Sequence, residues 1–304
     1  METRTLGSLT VSLVGLGCNN FGGRLDAAAT KTVVDVCLEA GITLFDTADV
    51  YGGTKSEEYL GQALAGRRDD AIVATKFGAG GGGAKASYVA SCAEDSLRRL
   101  GVDHIDLYQI HRPDPETPIE ETLGALNQLV VDGKVREIGC SNFSPEQIEE
   151  AAKVSEANGW ARFVTVQNQL NLLQRKGDAQ LVAASQQHDL KILPYFPLAS
   201  GMLTGKYKRG EEPPEGTRLA GTPADRRERA MSDRVFDKVE ALTQMAESGG
   251  HTVLELAMSW LATMPAMGSV IAGATKPEQV RSNAESVAWQ LTDEDRAEID
   301  RITA

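Results

Sequence analysis

Four residues of different chemistry could act as one group: Asp46, Tyr51, Lys76 and His111. Together they can deliver a proton to a polarised oxygen. A tyrosine hydroxyl, with an ordinary pKa of about 10, is a weak acid toward a carbonyl at neutral pH. A nearby ammonium favours the phenolate, so Lys76 is expected to lower the pKa of Tyr51. A buried lysine needs a counter-charge, which Asp46 can supply. His111 can donate a hydrogen bond to the same oxygen and orient the carbonyl. A hydride donor is still missing, and no side chain is one, so a nicotinamide cofactor is implied. Ser141, Asn142 and Gln167 suit its carboxamide, and Tyr195 suits stacking on its ring. Singly, each of the four has an ordinary explanation. Asp46 can cap a turn, Tyr51 can pack beside Gly52-Gly53, Lys76 can be solvated, and His111 can sit in a surface turn. Their places along the chain favour the chemical reading.

Each follows a short apolar run. The runs lie near Leu13–Leu16, then at Ile42–Phe45, Ala71–Thr75, Ile105–Ile110, Val135–Gly139, Phe163–Gln167, Lys191–Tyr195 and Ser269–Gly273. Continuous apolar runs suit strands buried on both faces, as in a parallel sheet. Between them lie segments with helical periodicity and start signals. Thr117-Pro118-Ile119-Glu120 reads as N-cap, N1 proline and N3 glutamate; Ser144 with Gln147, and Thr252 with Glu255, read as capping boxes. Gly41 and Gly101 stand where helices should stop. Eight βα units in series predict one (β/α)8 TIM barrel domain over residues 1–304, with its chemistry at the C-terminal ends of the strands. A doubly wound open sheet competes, but it usually has fewer strands and a phosphate fingerprint. Gly15-Leu16-Gly17 fails that fingerprint because Asn20 stands where its third glycine belongs.

Three segments fall outside the repeat. Thr3–Val11 suggests a hairpin over one barrel end, and Thr292–Thr303 an extra C-terminal helix. Ala199–Ala230, rich in Gly, Pro and charge, reads as a long loop serving as a lid. Phe77–Lys85 is glycine-rich without the ending of a phosphate loop, and reads as a flexible loop near the mouth of the site.

Composition narrows the function classes. A net charge of −12 argues against nucleic acid as a partner, since phosphate binding needs a basic face. Four scattered cysteines without CxxC spacing suggest reduced thiols in the cytoplasm. No secretory leader, membrane-length apolar run or basic amphipathic helix is apparent. The histidines lack HxH or HExxH spacing, and no serine sits in a GxSxG elbow, so neither a metal-dependent nor a serine hydrolase is expected.

The segments Leu44–Gly52, Ala74–Gly78 and Tyr108–Asp114 resemble the catalytic motifs of the aldo-keto reductase superfamily. Gly133–Phe143, Val166–Leu173, Pro197–Tyr207 and Ile271–Asn283 resemble its further blocks in the same order. The resemblance implies hydride transfer from NADPH to an aldehyde or ketone, with Tyr51 as proton donor. It implies that Lys76 and Asp46 tune Tyr51 and that His111 positions the oxygen. It also places the adenosine phosphate at Gly273, Thr275, Lys276, Gln279 and Asn283, and the pyrophosphate near Leu198, Ser200, Gly201 and Lys206. There are departures: Phe196 replaces a serine common in the family. Gly273 and Gln279 replace cations that hold a 2′-phosphate in some branches. Lys276 can substitute, so NADP is expected over NAD, with NADH possible. The short C-terminus implies an open pocket shaped near Asn19–Phe21, His111–Pro118 and Ala199–Ala230, accepting a range of small carbonyl compounds. A monomer is expected. A competing reading is a redox-sensing partner subunit, like the ion-channel β subunits of the superfamily. Another is a barrel isomerase or hydrolase using Asp46 and His111, which leaves Lys76 and Tyr51 unexplained.

Overall fold

The computed structural model describes residues 1–304. It opens with an antiparallel hairpin, β1 (Thr3–Leu6) and β2 (Leu9–Ser12), turning at Gly7 with φ +58°. The repeat then runs β3 (Val14–Gly17), α1 (Ala27–Glu39), β4 (Leu44–Asp46), α2 (Lys55–Ala63), β5 (Ile72–Phe77) and α3 (Ala86–Leu100). It continues with β6 (Ile105–Ile110), α4 (Ile119–Val131), β7 (Val135–Ser141), α5 (Pro145–Asn158), β8 (Phe163–Gln167), α6 (Asp178–Gln187) and β9 (Lys191–Ile192). Helices α7 (Ala224–Ala230), α8 (Asp233–Ser248) and α9 (Val253–Ala262) precede β10 (Val270–Gly273), α10 (Pro277–Glu285) and α11 (Asp293–Thr303).

Strands β3 to β10 form one parallel sheet ordered β10-β3-β4-β5-β6-β7-β8-β9. The ring closes through a single bridge, Ile192 to Met267, with Ile192 N–H donating to Ala266 O and Gly268 N–H to Ile192 O. This is the expected (β/α)8 barrel with its hairpin and extra helix. Its interior is filled at the hairpin end by Leu6, Leu9 and Val11, packed with Leu44, Ala74, Leu107, Val164, Leu193 and Ile271. A larger apolar layer lies between sheet and helices.

Strand periodicity carries this interior into the site. Successive side chains alternate between faces, so the residue two beyond an inward one also points inward. Leu44 is thus followed by Asp46, Ala74 by Lys76, and Leu107 by Gln109 and then His111. Apolar side chains fill the closed end, and polar ones emerge at the other.

Several local expectations hold. Ser144 with Gln147 and Thr252 with Glu255 form capping boxes, and α3 ends at Gly101 with φ +67°. Others need correction. Thr117 does not cap α4: Pro118 takes that position, and the Thr117 hydroxyl donates to Asp114 Oδ2 at 2.7 Å. The carboxylate of Asp114, just upstream, captures the hydroxyl first. The seventh run is strand only at Lys191–Ile192, because Pro194 lacks the N–H a longer ladder needs. Ala199–Ala230 is not structureless. It contains 3-10 turns at Ala199–Thr204 and Leu219–Gly221 and the helix α7.

Candidate active site

Asp46, Lys76 and Ser141 lie within the last residues of their strands, and His111 directly follows β6. Lys76 is fully buried. Its ammonium donates to Asp46 Oδ2 at 2.8 Å and to Thr47 O at 2.7 Å, and lies 5.1 Å from the Tyr51 ring centroid. Burial alone would depress this lysine, but Asp46 and Tyr51 outweigh it, and its pKa stands above the usual value. Asp46 Oδ1 accepts from Gln167 Nε2 at 3.0 Å, which fixes the carboxylate from a third strand. The rings of Tyr51 and His111 meet edge to face, 5.8 Å between centroids. Strand pairing brings these residues together: Asp46 lies opposite Ala74, and Lys76 opposite Gln109. Beneath them Gly139 leaves room for Thr165 Oγ1, where any Cβ would collide.

The titration of Tyr51 differs from the sequence expectation. Burial raises its pKa above the ordinary value, and Lys76 opposes this without reversing it. The hydroxyl therefore stays protonated at neutral pH, while the ammonium remains in place to stabilise a phenolate. His111 is pushed down to about 3 by burial, with the charges of Lys76 and Arg112 acting in the same direction. It is a neutral imidazole at neutral pH. Its Nδ1 is enclosed without a partner. A proton on Nδ1 would be left unpaired there.

These residues open into a cleft of about 940 Å³. Asp46, Tyr51, His111, Ser141, Asn142, Gln167 and Tyr195 line one part of it. Leu198, Ser200, Gly201, Lys206, Gly273, Thr275, Lys276, Gln279 and Asn283 line the rest. Of the residues singled out in the sequence, only Lys76 lies behind the surface. Asn142 has φ +61°, a conformation that asparagine tolerates. This lets Nδ2 donate to His111 O at 2.9 Å while Oδ1 accepts from Tyr195 O–H at 2.8 Å. Ser141 O–H donates to Gln167 O at 2.7 Å.

Asn20 and Phe196 also line the cleft, as do Arg24 and Arg218, which sequence reasoning did not name individually. Arg24 donates to Gly216 O across the cleft, and Arg218 lies 4.5 Å over the Phe196 ring. The usable signal was regional: Arg24 follows the first strand closely, and Arg218 falls in the long segment read as a lid.

The surroundings fit a nicotinamide dinucleotide. Gln167 spends its N–H on Asp46 and keeps Oε1 for an amide donor. Lys206 and Lys276 line the cleft without a carboxylate partner, although the chain is strongly acidic. The N-terminus of α10 begins directly after Lys276, and backbone N–H groups there favour an anion. Gln279 accepts from Thr275 N–H at 2.8 Å and holds the turn before that helix.

A family model described as "Aldo/keto reductase family" matches residues 13–304. The chain belongs to the aldo/keto reductase family. It is 33% identical to the aldo-keto reductase YhdN of Bacillus subtilis, over 97% of this chain and 90% of that protein. It is also 33% identical to a probable voltage-gated potassium channel subunit beta of Arabidopsis thaliana, over 94% of this chain and 91% of that one. Among solved structures it resembles the glycerol dehydrogenase AKR11B4 of Gluconobacter oxydans. The TM-score is 0.84 at 32% identity, covering 99% of this chain and 94% of the other. The aldo-keto reductase AKR11C1 of Bacillus halodurans, in its holo form, gives a TM-score of 0.82 at 30% identity, covering 99% and 96%. Membership in this family supports an oxidoreductase that binds a nicotinamide cofactor. No helix is long and apolar enough to cross a membrane.

Proposed function

We propose that this chain, one barrel domain over residues 1–304, reduces aldehydes and ketones to alcohols with NADPH. The observation that carries the reading is the buried Lys76–Asp46 pair beneath Tyr51 and beside a neutral His111. Bound nicotinamide supplies the hydride. Ser141, Asn142 and Gln167 hold its carboxamide, and Tyr195 flanks its ring. Leu198, Ser200, Gly201 and Lys206 take the pyrophosphate; Gly273, Thr275, Lys276, Gln279 and Asn283 take the adenosine phosphate. His111 Nε2–H orients the carbonyl oxygen by a hydrogen bond. The Tyr51 hydroxyl gives its proton to that oxygen as negative charge develops on it. Lys76 stabilises the phenolate left behind, and Asp46 keeps Lys76 charged and in place. Lys276, the cation in the block after β10, supports NADPH over NADH.

The test is titration with NADPH and NADH by fluorescence quenching, followed by loss of reduced-nicotinamide absorbance with a panel of activated aldehydes. Tight NADPH binding with repeated turnover supports the reading. Absence of binding to either nucleotide overturns it. The channel-subunit name of the Arabidopsis relative motivates a second reading, a nucleotide-binding partner subunit. Binding with oxidation that stops at one equivalent would favour that one.

A further inference from the structure

Behind the catalytic group lies a second set of buried charges. Glu57 of α2 is fully buried; its Oε1 accepts from Thr75 O–H at 2.5 Å and its Oε2 from Arg99 Nε at 2.6 Å. Asp49, in the loop between β4 and α2, is 8% exposed, and its backbone N–H donates to Lys76 O at 3.1 Å. Its Oδ1 is enclosed without a hydrogen-bond partner. The Tyr108 hydroxyl of β6 is likewise enclosed and unpartnered. Tyr108, together with Tyr88 and Cys92 of α3, lies within the field of the Asp49 carboxylate.

The charges around this loop do not balance. The cations are Lys76 and Arg99, and the carboxylates are Asp46, Glu57 and Asp49. Lys76 is committed to Asp46, and Arg99 to Glu57. Asp49 is the surplus acid. A carboxylate with one oxygen enclosed and unpartnered is relieved by taking a proton or by moving further toward water. Either response acts on a short loop that carries Tyr51 two residues later, where Tyr51 N–H is bonded to Ala48 O at 3.1 Å.

We propose that Asp49 is a positioning residue for Tyr51. As a neutral acid it stays enclosed and the Asp46–Gly52 loop keeps its course; as a carboxylate it draws the loop toward water and takes the Tyr51 hydroxyl out of line with His111. The proposal rests on the reading of Tyr51 as proton donor. Burial, reinforced by the charge of Glu57, lifts the Asp49 pKa to about 6, with Arg99 and Lys76 pulling the other way. The change therefore falls between mildly acidic and neutral pH.

Two measurements test it on the whole protein. The first is kcat/KM for 4-nitrobenzaldehyde with saturating NADPH, between about pH 5 and about pH 8. The wild type should lose several-fold as pH rises through the Asp49 transition. Asp49→Asn should lack that step, and Glu57→Gln should move it to lower pH. The second needs no turnover: amide exchange of the segment spanning residues 46–53, compared between wild type and Asp49→Asn at each pH. The ratio should rise as Asp49 ionises. A step that survives in Asp49→Asn, or an exchange ratio flat across the range, overturns the proposal. If no aldehyde is reduced while the ratio still rises, the loop displacement stands and the proton-donor role of Tyr51 falls.

Discussion

The two halves of the cleft handle charge in opposite ways. At the strand ends, Lys76 and Asp46 are paired and enclosed before any ligand arrives. On the side built from the segments after β9 and β10, Lys206 and Lys276 face the cleft without partners. The first arrangement has its electrostatics fixed in advance, which suits stabilising charge that appears only during reaction. The second leaves its cations to be completed by an anionic ligand, which suits binding and release.

Substitutions can break or sharpen this contrast. Tyr51→Phe removes only the proposed proton donor. Reduction should fall by about 10²–10⁴-fold, while NADPH affinity by fluorescence titration stays near wild type; comparable rates would remove Tyr51 from the role. Lys76→Met leaves Asp46 enclosed without its cation. Loss of one partner of a buried pair typically costs about 3–5 kcal/mol, readable by urea denaturation, and reduction should fall with it. A shift under about 1 kcal/mol would mean that water reaches Asp46.

Asp49→Asn should act in the other direction. Asp49 has its pKa raised on folding, so its contribution to stability is full below the unfolded value and is lost as pH rises through about 6. The variant should therefore be more stable than wild type above that pH, by about 1 kcal/mol after allowance for solvent screening, and melt higher there. The gain should shrink to nothing in strong acid. Equal melting at all pH values would mean that Asp49 is solvated. On the open side the effects are smaller. Lys276→Ala should weaken NADPH by about tenfold, more at low salt than at high, with little change for NADH. Equal loss for both nucleotides would place Lys276 away from the 2′-phosphate.

The same division decides what was legible in the sequence. Asp46, Lys76, Ser141 and His111 stand at or just beyond strand ends, and a barrel converges its strand ends on one mouth whatever the loops do. Apolar runs therefore located the strands and, through them, these side chains. The residues facing the cleft from loops needed more. Arg24 and Arg218 were missed as individuals because loop periodicity carries no direction; only the folded chain sets Arg24 against Gly216 and Arg218 over Phe196. The sequence reveals the lysine that lowers the Tyr51 pKa but not the depth of burial that raises it further. Thr117 was misassigned as a cap because its competitor, Asp114, lies just upstream. The surplus carboxylate at Asp49 was invisible for a related reason: Arg99 is distant in the chain, and its commitment to Glu57 appears only in the fold.

The ring itself is uneven. Seven of its joints are ladders of two or more residue pairs, whereas the joint between β9 and β10 rests on the bridge from Ile192 to Met267. A closed sheet under thermal agitation opens where the fewest bonds must break together. That joint is flanked by Tyr195 and Leu198 on one side and by Gly273 and Thr275 on the other. The ring is therefore thinnest in bonds beside that wall of the cleft, while the joints β4–β5 and β5–β6, from whose ends Asp46, Lys76 and His111 emerge, are laddered.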